Sequence, residues 1–216
     1  AKLTHLDVSD EAFAFMDIRE MDLGMAPAIV GRVSYTGDLG YEIWMRPEYQ
    51  RYIFDLLMDA GAEFGISLFG LRALNALRLE KSFGSWSREY RPLYGPLEAG
   101  LGRFVALKKE ANFIGKTAAI EEKLSGGTLR LRTFIVDAKD ADVIGDEPIS
   151  FKGEVRGWVT SGGYAHPSGV SVAIGYVPKD IADEIEGWGI EILGEVLPAH
   201  LQALPLFDAN GSRMRS

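Results

Sequence analysis

Short β-type runs separated by turn residues recur through the second half of this chain. Six runs follow Thr128, at residues 129–136, 148–151, 155–160, 170–177, 190–193 and 196–203. Glycine, asparagine and aspartate stand between many of these runs, as expected for tight turns between strands. The rhythm predicts a small antiparallel β-barrel or sandwich over residues 128–216.

Strands and helices mix in the first 125 residues. Apolar alternation predicts strands within residues 13–45, including two strands joined by a Gly-rich turn in the segment 33–45, and a further short strand at 103–107. Apolar residues at helical spacing predict helices over residues 47–60, with Gly61 just past the end, over 68–81 and over 114–124. A Ser–Gly–Gly linker at 125–127 then divides the chain into an α+β domain, 1–125, and a barrel domain, 128–216.

Composition excludes several classes of function. The net charge of −8 argues against a nucleic-acid partner, and the absence of cysteine excludes disulfides and thiolate sites. The three histidines are far apart and lack metal-ligand spacing, so we expect no metal site. No apolar run reaches the length of a membrane span and no signal-peptide pattern opens the chain, so we expect a cytoplasmic protein without a membrane partner. Because the chain begins with alanine, we expect a processed or excised piece.

Glu42 is the most informative side chain of the first half. It lies among aromatic residues after a Gly-bearing turn, and side-chain alternation places it on the same strand face as Trp44. A carboxylate between rings can accept two N–H bonds from a flat, nitrogen-rich heterocycle. The alternative is an ordinary hairpin whose glutamate points to solvent.

Several motifs occur in a fixed order: VSYTGDLGYEI, GLRALNALRLEKSFGSW, PLEAGLGRFV, NFIGKTA and GWVTSGGYAHPSGVSVAIGYVP. Together they resemble the glycine-cleavage T-protein (aminomethyltransferase) superfamily. The LRLEK…W wording is most similar to the branch fused to flavin-dependent dimethylglycine and sarcosine dehydrogenases. The resemblance implies the α+β class: the second half of a T-protein-like folate-binding α+β domain, followed by a small antiparallel β-barrel.

The resemblance also implies a cofactor, tetrahydrofolate, and four residues that bind it. Glu42 matches the glutamate that recognises the pterin ring, and Tyr35 matches an aromatic residue of the same motif. Arg78 matches the arginine of LRLE, although pairing with Glu80 or a backbone carbonyl accounts for it equally well. Trp86 matches the dehydrogenase branch, where it lines the folate funnel; a buried loop anchor is the alternative.

Departures from the family wording fall near these residues. T-proteins read ARD-x-LRLE, and the resemblance implies that the arginine of ARD meets the charged tail of the folate. Leu74 and Asn75 stand here at the Arg and Asp positions of ARD. The folate tail is therefore left to Arg78 or Arg88, or without a partner. Gly84 and Gly95 stand where arginine and threonine are common, and we expect both changes to loosen the loop. We expect Glu98 to be structural and to accept backbone N–H groups of the loop.

No catalytic residue is assigned, because the family aspartate belongs to an earlier segment and Asp7 and Asp10 lie in the wrong stretch. The FAD fingerprint is also absent, so FAD would require a separate domain.

The resemblance predicts that this chain is part of a protein that transfers a one-carbon unit from a methylated or aminomethyl amine to tetrahydrofolate. This chain alone is expected to be inactive. The alternatives are a non-catalytic folate-binding or scaffolding module and a T-fold demethylase of another substrate. Expected partners are folate and either an N-terminal flavin domain or another chain that covers the funnel.

Overall fold

A computed structural model describes all residues 1–216. The strands are β1 (Ile18–Leu23), β2 (Ala26–Gly31), β3 (Glu42–Met45), β4 (Leu129–Val136), β5 (Pro148–Phe151), β6 (Glu154–Ala165), β7 (Val170–Pro178), β8 (Trp188–Ile192) and β9 (Glu195–Gln202). The helices are α1 (Gln50–Gly61), α2 (Leu71–Glu80) and α3 (Lys116–Ser125). The chain divides into two compact units, the first formed by Ala1–Leu77 with Asp208–Ser216 and the second by Arg78–Phe207.

The first unit is built on an antiparallel sheet in the order β1-β2-β3. Alternation along each strand sends one set of apolar side chains to a core that contains Phe13 and Ile53 of α1. The other sheet face is exposed and carries Ile18, Ile29 and Trp44. The sheet therefore has one packed face and one open face.

The predicted hairpin within residues 33–45 is wrong in its first strand. β3 pairs with β2, Gly31 opposite Glu42, and residues 32–41 form a loop. The backbone N–H of Gly37 donates to Ser34 Oγ at 2.9 Å, which turns the loop locally. Arg213 Nε donates to Asp38 Oδ1 at 2.5 Å, so a side chain distant in sequence contacts the loop.

The boundaries of the helices also differ from those predicted from the sequence. α1 follows a 3-10 turn at Pro47–Tyr49, and Gly61 is still helical, because the left-handed residue that ends this region is Gly65 with φ +70°. α2 begins at Leu71 rather than Leu68. The strand predicted at 103–107 is a 3-10 turn, Gly102–Phe104, followed by irregular chain, and no neighbouring strand pairs with it.

A closed barrel of six antiparallel strands confirms the fold predicted for the second half. The strand order is β4-β7-β6-β5-β8-β9, and pairing of β4 with β9 closes the barrel. β4 and β5 begin and end where the sequence predicted, and the other four strands differ from their predicted ranges at one or both ends. The barrel is filled by side chains that include Phe134, Ile149, Val159 and Ile190, none of which is measurably exposed.

Two carboxylates fasten the PLEAGL loop where the barrel begins. Glu98 Oε1 accepts the backbone N–H groups of Thr128 at 2.7 Å and Leu129 at 3.0 Å. The structural role is as predicted, but these donors belong to the start of the barrel, and the loop itself supplies the Gly95 N–H, at 3.4 Å from Oε2. Glu122 Oε1, from α3, accepts the N–H groups of Leu97 and Glu98, both at 3.0 Å. A Cβ on Gly95 would lie 2.3 Å from Glu122 Oε1, so the glycine leaves the space that this carboxylate occupies. The expectation that Gly95 loosens the loop was wrong.

Gly95→Ala should therefore destabilise the chain, because the new methyl group displaces Glu122 from two backbone donors. We expect a loss of about 1–3 kcal/mol in the free energy of unfolding, measured by urea denaturation. Gly70→Ala is the control, since nothing lies within 4 Å of a Cβ there. In a Glu122→Ala background the cost of Gly95→Ala should nearly vanish. An equal cost in both backgrounds would contradict the explanation.

Glu98 also predicts a pH dependence. Burial acts to raise the pKa of this carboxyl, but hydrogen bonds from Thr128, Leu129 and Gly95 outweigh burial and hold the pKa below its ordinary value of 4.5. A depressed pKa gives stability that is present above the unfolded-state pKa and is lost as pH falls through the folded-state pKa. We therefore expect the free energy of unfolding to fall as pH drops below about 4.5, and Glu98→Gln to show a shallower fall. Parallel curves for the two proteins, from denaturation across the acid range, would exclude a contribution from Glu98.

Candidate functional site

Glu42 is the first residue of β3 and its side chain is exposed on the open face of the sheet. Its carboxylate makes no hydrogen bond or ion pair within the chain. The strand neighbours Ile43 and Met45 turn the other way and pack on the core of the first unit. The carboxylate is thus available as a hydrogen-bond acceptor on a fixed strand.

The Trp44 indole flanks this carboxylate. Trp44 is two residues from Glu42 on the same face and is 44% exposed. A Cβ on Gly31, the cross-strand partner of Glu42, would lie 2.9 Å from Trp44 Cζ3, so the ring lies over the glycine. A flat aromatic surface therefore lies next to an unpaired acceptor. The sequence placed Trp44 on this face but did not select it as a site residue; the signal was its spacing of two from Glu42.

Two tyrosines accompany this strand. Tyr35 is half-buried in the loop 32–41. Tyr41 is 45% exposed and stacks on the buried Phe13 ring with centroids 6.1 Å apart and planes 24° apart. Tyr41 therefore braces the start of β3 from the core side.

A groove of about 750 Å³ runs along the open sheet face of the first unit. Trp44, Ile29 and Pro27 supply apolar wall, and Glu20, Asp22 and Arg46 supply charge. Glu42 does not line this groove. Trp44 thus contacts the groove and also flanks Glu42.

Trp86 belongs to the second unit and is 83% exposed. Its indole meets the Tyr90 ring edge to face, with centroids 6.0 Å apart. The alternative that Trp86 is a buried anchor is wrong. It presents a large aromatic surface to its surroundings from the loop that follows α2.

Arg78, in the last turn of α2, is buried, with 3% of its surface exposed. Its Nη1 donates to the carbonyl of Phe83 at 2.9 Å and lies 3.3 Å from Glu89 Oε2. The bond to a backbone carbonyl was one of the two structural alternatives; the carboxylate partner is Glu89, which the sequence did not indicate.

The Glu89 carboxylate is fully buried and surrounded by donors. Oε2 accepts the Ser85 backbone N–H at 2.7 Å and the Ser85 hydroxyl at 3.2 Å. Oε1 accepts the Ser161 hydroxyl at 2.5 Å. Arg78 and the loop that carries Trp86 are thereby joined through one side chain. The available signal was an acidic residue within an otherwise aromatic and basic loop.

Gly84 lets this loop close on itself. A Cβ there would lie 2.6 Å from Tyr90 Cζ and 2.7 Å from Glu89 Cβ. The Gly84 N–H also donates to the Tyr90 hydroxyl at 3.1 Å. As at Gly95, the missing side chain permits close packing, and the expectation of a looser loop was wrong.

A layer of rings supports the loop from the barrel. Tyr94 stacks on Tyr176 with centroids 3.8 Å apart, and Trp158 Nε1 donates to the Tyr94 hydroxyl at 3.1 Å. The Tyr176 hydroxyl donates to the Glu89 carbonyl at 2.7 Å. Burial raises the pKa of the Tyr176 phenol far above its ordinary value, with Tyr94 and Glu89 adding to the rise. The hydroxyl therefore remains a donor at any physiological pH.

The structure distributes the four predicted folate residues over the two units. Tyr35 and Glu42 lie in the first, Arg78 and Trp86 in the second. Within the second unit, Glu89 links Arg78 to the residue that precedes Trp86. No three histidine, aspartate or glutamate side chains are grouped so that they could hold a metal ion. None of the helices combines the length and the apolar character that crossing a membrane requires.

Two family models match the chain. Residues 1–109 match the GCVT N-terminal domain, and residues 130–208 match the glycine cleavage T-protein C-terminal barrel domain. A solved structure, the glycine cleavage system aminomethyltransferase T from Bartonella henselae, superposes with a TM-score of 0.75 at 25% identity, over 84% of this chain and 50% of that one.

Curated relatives share more of the sequence. Mitochondrial dimethylglycine dehydrogenase of Mus musculus is 41% identical over 99% of this chain and 25% of its own length. An aminomethyltransferase of Alkaliphilus metalliredigens is 35% identical over 74% of this chain and 43% of its own length. The chain thus spans about a quarter of the dimethylglycine dehydrogenase and less than half of the aminomethyltransferase.

Proposed function

We propose, from the premise that this chain belongs to the glycine cleavage T-protein family, that it is part of a protein that transfers a one-carbon unit to tetrahydrofolate. The donor would be a methylated or aminomethyl amine, of the dimethylglycine, sarcosine or glycine-cleavage type. The observation that carries the proposal is the exposed, unpartnered Glu42 carboxylate beside the Trp44 indole. Since the relatives are much longer, transfer itself is proposed for the longer protein, and this chain alone is expected to be inactive.

Glu42 is proposed to read the pterin ring. A pterin presents an exocyclic amino group beside a ring N–H, two donors that one carboxylate accepts together. Trp44 offers a ring face next to that carboxylate. Tyr35 is proposed as a second aromatic contact on the loop that leads to β3.

Two contacts are proposed on the second unit. The exposed Trp86 indole suits stacking against a flat ring, since little protein surface competes for its faces. Arg78 stays a predicted contact, with its guanidinium engaged by Phe83 and Glu89.

A non-catalytic folate-binding module is the second candidate. Asp10 pairs with the buried guanidinium of Arg32 at 2.5 Å, and Asp7 Oδ1 accepts the Ser9 N–H at 2.9 Å. Both aspartates are engaged in the local fold, which favours binding without transfer for this chain by itself. Transfer assays on the longer protein separate the two candidates.

Further parts of the prediction remain proposals. The division into domains 1–125 and 128–216 is supported by the gap between the two matched families at residues 110–129. The compact units divide the chain at different residues. The cytoplasmic location and the separate FAD domain also remain predictions.

Glu42→Ala should abolish or strongly weaken binding of 5-formyltetrahydrofolate, measured by calorimetric titration. Two charge-assisted hydrogen bonds are each worth about 1.5–3 kcal/mol, so a loss of about 100-fold or more in affinity is expected. Glu48→Ala is the matched control, because Glu48 is an exposed carboxylate of the same unit that does not line the groove. Equal affinity of the parent and Glu42→Ala would remove Glu42 from the site. A folded parent that shows no saturable binding would count against folate binding by this chain.

Exposed apolar residues within the segment 64–71 lead us to propose a protein partner. Phe64, Leu68, Phe69 and Leu71 are between 62% and 83% exposed. Such a run is unusual on a free surface, and we propose that an N-terminal flavin domain or another chain covers it.

The isolated chain should then self-associate through this segment. Sedimentation velocity should show association that grows with concentration and is reduced by the double change Phe64→Ser and Phe69→Ser. Leu124→Ser, an exposed apolar residue of the second unit, is the control and should leave association unchanged. A parent chain that stays monomeric at all concentrations would count against a covered surface.

A further inference from the structure

Glu89 closes the turn that carries Trp86. Its Oε2 accepts both the backbone N–H and the hydroxyl of Ser85, and the backbone N–H groups of Glu89 and Tyr90 donate to the Ser85 carbonyl, both at 3.0 Å. The turn therefore folds around the carboxylate. Trp86 lies in this turn, one residue after Ser85.

The other carboxylate oxygen ties the turn to the barrel. Oε1 accepts the hydroxyl of Ser161, which is 4% exposed. β6 shifts register against β7 at this point, from Val159 opposite Gly175 to Ser161 opposite Ile174, so Thr160 is an extra residue. A bulge of this kind redirects the side chains that follow it.

We infer that Glu89 is a positioning residue: through Ser85 and Ser161 it fixes the Trp86 indole in its exposed orientation, ready for a flat aromatic ligand. Glu89 itself is fully buried and reaches the ligand only through Trp86. The inference rests on the proposed function, in which Trp86 contacts the folate.

A carboxylate suits this position, because every group that faces it donates to it. Ser161, Ser85 and Arg78 all direct an O–H or N–H at its two oxygens. Glutamine has nearly the same shape, but its amide nitrogen in place of Oε2 would face the Ser85 N–H and the Arg78 guanidinium, and in place of Oε1 it would force the Ser161 hydroxyl to accept instead of donate. It would also remove the negative charge that lies 3.3 Å from the buried Arg78 guanidinium. Glu89→Gln is therefore a small change that should disturb the turn.

The first readout needs no ligand. The chain has four tryptophans, so 5-fluorotryptophan labelling gives four fluorine resonances, and Trp86→Phe assigns the one of interest. Glu89→Gln and Ser161→Ala should shift or broaden the Trp86 resonance and leave those of Trp44 and Trp188 in place. Ser168→Ala is the matched control: it removes a hydroxyl that donates at 2.5 Å to another buried carboxylate, Glu80.

The second readout is affinity for 5-formyltetrahydrofolate. We expect Glu89→Gln to bind about tenfold more weakly, as for loss of one well-placed interaction, Ser161→Ala to bind a few-fold more weakly, and Ser168→Ala to bind like the parent. Thermal melting confirms that each variant is folded; if Glu89→Gln is not, Ser161→Ala decides.

Three outcomes separate the hypotheses. A displaced Trp86 resonance with weakened binding supports the inference. Unchanged resonance and affinity in Glu89→Gln and Ser161→Ala, or an equal effect of Ser168→Ala, overturns it. If the parent does not bind folate but Glu89→Gln and Ser161→Ala displace the Trp86 resonance, the proposed function is overturned and the control of Trp86 by Glu89 is supported.

Discussion

Burial of the Glu89 carboxylate is the constraint on which the second unit depends. A buried carboxylate is costly unless donors replace the water it loses. Here a guanidinium, a backbone N–H and two hydroxyls replace that water. These donors come from α2, from the loop that carries Trp86 and from β6. Removal of any one donor leaves the charge less compensated, so the three elements are energetically coupled. The burial of Arg78 follows from the same requirement.

Glycines act here mainly as sites of close approach. At Gly84 and Gly95 the space of a side chain is taken by Tyr90 and by Glu122, and at Gly31 it is taken by the Trp44 ring. Each glycine therefore lets a functional or bridging side chain approach the backbone. In the sequence the first two stood only as departures from the family wording, and flexibility was the natural interpretation. The packing shows the opposite effect, because the neighbours that fill the space are large or hydrogen-bonded.

Local pattern predicted the barrel well and the site only in part. β4 and β5 were predicted to the residue because alternation and turn residues both lie within the segment. The strand predicted at 103–107 failed because β propensity in one segment cannot reveal whether a partner strand exists. The first strand predicted within residues 33–45 failed for the same reason, since β3 pairs with β2 and residues 32–41 have no partner strand. Glu89 was missed because its partner Ser161 is 72 residues away.

Trp86 is highly exposed and Glu89 is fully buried, and this difference explains why the exposed ring needs a buried group to order its loop. An indole that is 83% exposed has few contacts of its own to restrict its rotamers. If a ligand had to order both the ring and the loop, the entropic cost would reduce affinity. A turn closed around a buried carboxylate and fastened to a barrel strand orders the loop during folding instead. The most exposed ring of the loop therefore depends on its most buried charge, and substitutions far from any ligand contact can change recognition.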